Sequence, residues 1–181
     1  PLFYRIKAVT TTGIEYNSYP VRALIVNTER STYLENPMVI PGIVEAEYYD
    51  FGAEGLTYHD NDVENIPNAL RPYEAVDIEA RDDGGYQVGY IDKGEWIEYS
   101  LLVEKSGKYQ VDIKTASMDG GAEFELIFGE YKSEKLSVPK TSSWQKTTTF
   151  STIVELEAGE NIMRISVIKA IPFNIDRLTF T

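Results

Sequence analysis

The chain has 181 residues and 43% hydrophobic side chains, enough for one domain with a sizeable core and outside the composition of disordered chains. Seventeen Lys and Arg against 29 Asp and Glu leave a net charge of −12, which excludes nucleic acid and an anionic membrane surface as partners, because both need clustered cations. With no Cys and a single His, His59, disulfides, thiolate nucleophiles, Cys-ligated zinc and multi-His metal centres are excluded as well. No apolar run is long enough to span a bilayer. The chain begins at Pro1 without a secretory leader, so it reads as a processed or excised piece of a longer, secreted or cell-surface protein.

Residues 4–9 (YRIKAV) alternate apolar and polar, and residues 10–13 (TTTG) turn. A second strand-like run follows at residues 21–26 (VRALIV). Residues 1–26 therefore form a hairpin-like unit too small to be stable alone. Residues 27–40 are polar with a Pro near the end and are expected to be a linker. The main domain is expected over residues 41–181.

Within that domain the period is two. Residues 96–103 (WIEYSLLV) put Ile97, Tyr99, Leu101 and Val103 on one face, residues 109–115 (YQVDIKT) alternate, and residues 162–168 (IMRISVI) bring Met163, Ile165 and Val167 into phase. Turn residues at Lys105 to Lys108, Asp119 to Gly121 and Ala158 to Asn161 separate these runs. No segment sustains a helical period. Short strands at this spacing predict an all-β sandwich.

Glu45 and Glu47 stand two apart in an apparent strand, where both face the same way. Two like charges so placed are either a solvated acidic strand or a pair that needs a counter-ion, and a hard cation such as Ca²⁺ takes carboxylate oxygens. Residues 60–65 (DNDVEN) look calcium-like but lack the glycine and the closing glutamate of an EF-hand, so they read as a polar loop. His59 beside them reads as a surface loop residue. No phosphate-cradling loop and no nucleophile elbow is present. Trp96 lies in an alternating strand and is expected in or against the core. Trp144 follows Thr141, Ser142 and Ser143 in a loop, where an exposed indole points to a binding surface.

From residue 43 onward the chain resembles a family 6 carbohydrate-binding module. The motifs are residues 43–49 (IVEAEYY), 75–79 (AVDIE), 85–99 (GYQVGYIDKGEWIEY) and 173–178 (FNIDRL), in that order, with Arg177 where the family usually has an aromatic. The resemblance implies a jelly-roll-like β-sandwich that binds sugars without breaking them. It implies two aromatics flanking a terminal or near-terminal sugar, Tyr86 and Trp144, with Asn174 and Glu74 hydrogen-bonding hydroxyls. It also implies a structural Ca²⁺ held by Glu45, Glu47 and Asp176. Residues 1–26 resemble the last strands of a fibronectin type III domain, which suggests a modular secreted protein with a glycoside hydrolase elsewhere in the chain.

The expected function is a non-catalytic module, monomeric, that targets its parent hydrolase to a polysaccharide. The alternatives are a structural or adhesive module with a degenerate site, and a small hydrolase using a carboxylate pair such as Glu95 and Glu98.

Overall fold

The computed structural model describes residues 29–181 and, before them, four short strands. These are β1 (Leu2–Tyr4), β2 (Lys7–Val9), β3 (Glu15–Asn17) and β4 (Val21–Ala23). β2 pairs with β3 and β1 with β4, both antiparallel. Most of the residues that resemble a fibronectin type III domain lie outside the described ones.

The rest is a two-layer sandwich. In chain order its strands begin with β5 (Met38–Ile40), β6 (Gly42–Glu45), β7 (Tyr58–His59), β8 (Ile78–Ala80) and β9 (Tyr86–Val88). Next come β10 (Trp96–Val103), β11 (Gly107–Ala116), β12 (Glu123–Phe128), β13 (Tyr131–Lys132) and β14 (Leu136–Ser137). The last are β15 (Thr148–Leu156), β16 (Gly159–Lys169) and β17 (Asn174–Phe180). One sheet runs β13-β12-β16-β10-β5, with β14 and β7 attached to β12 and β10. The other runs β15-β11-β17-β9-β8, with β6 attached to β17. All pairings are antiparallel except β10 with β5.

The alternating residues meet between the layers. Ile97, Tyr99, Leu101 and Val103 of β10 face Val111, Ile113, Ile175 and Leu178 of the opposite sheet's strands, and all are buried. Burying side chains of this size contributes about 1.5–3 kcal/mol each, which is what drives the two sheets together. The all-β sandwich expected from the period-two patterning is the fold observed.

Two local expectations change. Residues 29–40 do not hang free as a linker. Ser31 and Phe51 exchange backbone hydrogen bonds of 2.8 and 3.0 Å, and Arg30 Nη1 donates to Asp50 Oδ2 at 2.8 Å. The Tyr33 ring stacks on Tyr48 at 4.8 Å, and β5 itself joins the sheet. Polar composition hid this docking, because the segment is anchored by Tyr33, by the ion pairs of Arg30 with Asp50 and Glu98 and by the buried Ile40 rather than by an apolar stripe. Glu45 and Glu47 also do not share a strand face. β6 ends at Glu45, and Ala46–Tyr48 form a 3₁₀ turn that buries Glu47.

Candidate functional site

A hydrogen-bonded polar cluster sits where β8, β9 and β17 end beneath the loop carrying Trp144. Glu79 and Gln87 are directly opposed in the β8–β9 ladder, so both side chains leave the same face. Ile78 and Val88, the neighbouring pair, go into the core. Asn174 precedes Ile175, which pairs with Val88, so it too faces away from the core beside Glu79. The Asn174 side-chain amide donates to Glu79 Oε1 at 2.5 Å and to the Trp144 carbonyl at 3.1 Å. Gln87 Nε2 donates to the same two acceptors at 2.7 and 3.0 Å.

The Trp144 loop is held at its base as well. Thr141 and Ser142 donate their backbone N–H groups to the Ser117 carbonyl, and Gln145 Oε1 accepts from the Asp82 N–H at 3.0 Å. The indole nevertheless remains 40% exposed. It faces a cleft whose other walls are Tyr90, Pro172 and Phe173, with Glu79 and Asn174 as polar floor. Tyr90 is 56% exposed and sits at φ 53°, a left-handed conformation that turns its ring out of the strand path directly after Gly89. Gly89 has no room for a side chain: a Cβ there would lie 2.6 Å from Asn174 Oδ1.

Chemically this is an amphipathic slot. Two aromatics can cover the C–H faces of a ring, and the floor offers hydrogen-bond acceptors in Glu79 Oε2 and Asn174 Oδ1. It presents no cationic side chain of its own.

The structure brings Trp144 and Asn174 to one cleft, but it does not bring Tyr86 or Glu74 to them. Tyr86 pairs with Ala80 and packs against the core edge, one residue out of phase with Glu79 and Gln87. Tyr90 stands in the cleft in its place. Glu74 accepts from the Tyr49 hydroxyl at 2.9 Å and from Arg71 Nε, under a guanidinium 3.4 Å from the Tyr49 ring centre. Its carboxylate is thus spent internally, and Glu79 occupies the cleft. The parity of the AVDIE and GYQV runs could have shown this: Ile78 and Val88 mark the core face, so Glu79 and Gln87 must face outward and Tyr86 inward.

Beyond Arg81, which touches both Gln87 and Asp176, a second concavity gathers Glu45, Glu47 and Asp176 with Arg81, Lys114 and Tyr86. Lys114 Nζ lies 2.7 Å from Asp176 Oδ2, and Arg81 Nη1 lies 3.6 Å from it. Glu47 Oε2 is buried and has no hydrogen-bond partner. Burial, opposed by a backbone hydrogen bond and reinforced by the neighbouring Glu45 and Asp176, pushes the Glu47 carboxyl up to about 7. Burial raises Glu45 too. Among the described residues, no three carboxylate or histidine groups already converge at metal-ligand range. The donor chemistry still suits a hard cation: three carboxylates, one with an orphaned buried oxygen, now partly neutralised by Lys114 and Arg81.

The remaining candidates are committed elsewhere. Glu98 is clamped by Arg30 and Arg164, and Glu95 accepts from the Asn61 and Asp92 N–H groups, so the two do not face one ring. Trp96 is half-buried with the Arg164 guanidinium 3.8 Å from its ring centre. His59 is not in a loop but on β7, paired with Trp96 and bonded to Glu54 at 2.5 Å.

The sequence profile of the family described as carbohydrate binding module (family 6) matches residues 69–181, well over half the chain. The chain belongs to that family. The C-terminal family 6 module of LamC, a marine laminarinase from Zobellia galactanivorans, is 30% identical, with a TM-score of 0.61 over 77% of this chain and 97% of that one. The module from Cellvibrio mixtus lichenase 5A, solved with cellotriose, shares the fold at 24% identity and a TM-score of 0.59, covering 78% and 96% of the two chains. The β-agarase AgaA of Microbulbifer thermotolerans is 31% identical over 68 residues, and the clotting factor G alpha subunit of Tachypleus tridentatus is 32% identical over 101. Those matches cover 37% and 54% of this chain but only 16% and 15% of the relatives. As a family 6 module the chain is a carbohydrate-binding unit and not an enzyme.

Proposed function

We propose that this module grips a neutral sugar between Trp144 and Tyr90, with Glu79 and Asn174 accepting hydrogen bonds from its hydroxyls. The convergence of those four residues in one preformed cleft carries the reading. An uncharged ring suits both the floor, which offers acceptors, and the −12 charge of the chain, which repels anionic glycans. The relatives include a laminarinase module and an agarase, so β-linked glucans and galactans are the first ligands to try. The biological role is to hold an enzyme, covalently joined elsewhere in a secreted protein, on its polysaccharide. The module acts as a monomer. A structural Ca²⁺ bound by Glu45, Glu47 and Asp176 would tie β6 to β17; the Lys114 ammonium would have to move off Asp176 to admit it.

Calorimetric titration with laminarihexaose, cellohexaose and neoagarohexaose, with reaction products monitored, tests the proposal. Binding without turnover, lost in Trp144→Ala, supports it. Silence across the panel from a folded protein with Trp144 intact sinks it and favours a degenerate, adhesive module.

A further inference from the structure

Gln87 is fully buried, yet each of its polar atoms has a partner. Its Oε1 accepts from Arg81 Nη1 at 3.0 Å. A guanidinium only donates, so this contact fixes which way the amide points. The NH₂ group must then face Glu79 Oε1 and the Trp144 carbonyl. The Asn174 amide donates to the same two acceptors. The result is a closed square, two amides against two acceptors, that links a rigid strand pair to the loop bearing the indole. Arg81 is itself buried and braced by Asp83 at 2.8 Å and by Asp176.

We propose that Gln87, oriented by Arg81, is a positioning residue for the cleft: it holds the Trp144 loop down on the sheet and turns Glu79 so that Oε2 faces the ligand. This rests on the reading of the cleft as a sugar site. Gln87 has no exposed surface and cannot touch a sugar, so its effect on affinity passes through Trp144 and Glu79. Asn174 supplies half of the square but also lines the cleft; Gln87 isolates positioning from contact. Holding the indole in place before the ligand arrives removes an ordering cost from binding. Replacing the Gln87 amide by an apolar group of similar size would leave Arg81 and the Trp144 carbonyl each short of a buried partner.

The test uses Gln87→Met in a Trp96→Phe background, where Trp144 is the one remaining tryptophan. Two quantities are read: acrylamide quenching of Trp144 without sugar, and affinity for whichever of the three hexasaccharides the parent binds. The expected result is stronger quenching together with an affinity loss of about tenfold or more. Unchanged quenching overturns the proposal, and so does stronger quenching with unchanged affinity. If the parent binds no panel sugar, the function reading fails by itself, while the quenching still shows whether the brace exists. Should Gln87→Met not fold, the wild type supplies the second measurement. The Gln87 side-chain NH₂, followed by NMR, is expected to exchange far more slowly than that of the exposed Gln110 and to shift when sugar is added. Exchange as fast as Gln110, or no shift on saturation, overturns the proposal.

Discussion

Glu79 and Gln87 stand opposite each other on β8 and β9, and the Gln87 amide takes up one Glu79 oxygen at 2.7 Å. That pairing decides which residues form the cleft. It sets the outward face of the strand pair, and with it the inward face on which Tyr86 falls.

Tyr90 and Tyr86 therefore give opposite mutational signatures. Tyr90→Ala removes one wall of the slot and is expected to weaken sugar binding at least about thirtyfold, the scale of an interface hot spot. The melting temperature should barely move, since Tyr90 is mostly exposed. Tyr86→Ala takes a ring from the core edge and is expected to cost about 1–3 kcal/mol of stability while leaving affinity within about twofold. Calorimetric titration and thermal unfolding of both variants separate the two. An affinity loss confined to Tyr86→Ala would return the second aromatic to that position.

Gly89→Ala probes the floor without touching an aromatic. The added methyl would stand 2.6 Å from Asn174 Oδ1 and 3.5 Å from Glu79 Oε1. Asn174 must rotate or shift, and one acceptor leaves the cleft. The expected outcome is a loss of sugar affinity of about tenfold or more, with circular dichroism unchanged. Full affinity in this variant would show that Asn174 contributes nothing to recognition.

Much of this was legible in the chain and some was not. The period-two runs of β10, β11 and β16 gave the sandwich, because each strand turns one apolar face to the core. Trp144 was legible as a loop aromatic and Asn174 as part of a closing motif. Tyr90 was harder to place, since it shares the parity of Val88 and would point inward if the strand continued. The left-handed turn at Tyr90, not the pattern, sends it outward. Glu74 precedes β8 and Glu79 lies within it, and their surroundings differ, Arg71 and Tyr49 in one case and two side-chain amides in the other. Arg71 and Gln87 are near neighbours of these two in sequence, but Tyr49 and Asn174 come from distant segments, which local spacing does not reveal.

Calcium is expected to stabilise the fold through the acidic concavity. At a concentration about a hundredfold above its Kd, an ion that binds only the folded state adds about 2.7 kcal/mol, a shift of roughly 5–10 °C for a chain of this size. Glu47→Gln should abolish that shift. In chelator at pH 8 the same variant should be no less stable than wild type, because it removes a buried carboxylate already pushed up to about 7. Differential scanning calorimetry with calcium and with chelator gives all four values. An undiminished calcium shift in Glu47→Gln would move the ion elsewhere.

The last prediction concerns pH and a different group of acids. Asp60, Asp77 and Glu95 line a small void between the sheets beside Trp96 and Ile97. Asp60 accepts from the Asp62 N–H and Asp77 from the Ile66 N–H, so they hold the 60–66 loop in place. Burial, opposed by those backbone hydrogen bonds and reinforced by the charges of Glu95 and Asp62, pushes Asp60 up to about 7 and Asp77 up to about 6. In the unfolded chain both titrate near 3.8. Between these limits the folded state binds protons that the unfolded state does not, so stability rises as pH falls through 7 toward 4 and is lost again as pH rises. Melting temperatures in chelator are thus expected to climb from pH 8 to pH 5.5. The double variant Asp60→Asn, Asp77→Asn keeps both acceptor oxygens and removes both charges. It should be more stable than wild type at pH 8 and follow a flatter profile. A wild-type profile that falls on acidification, or a double variant with the same slope, would show that these two carboxyls do not govern it.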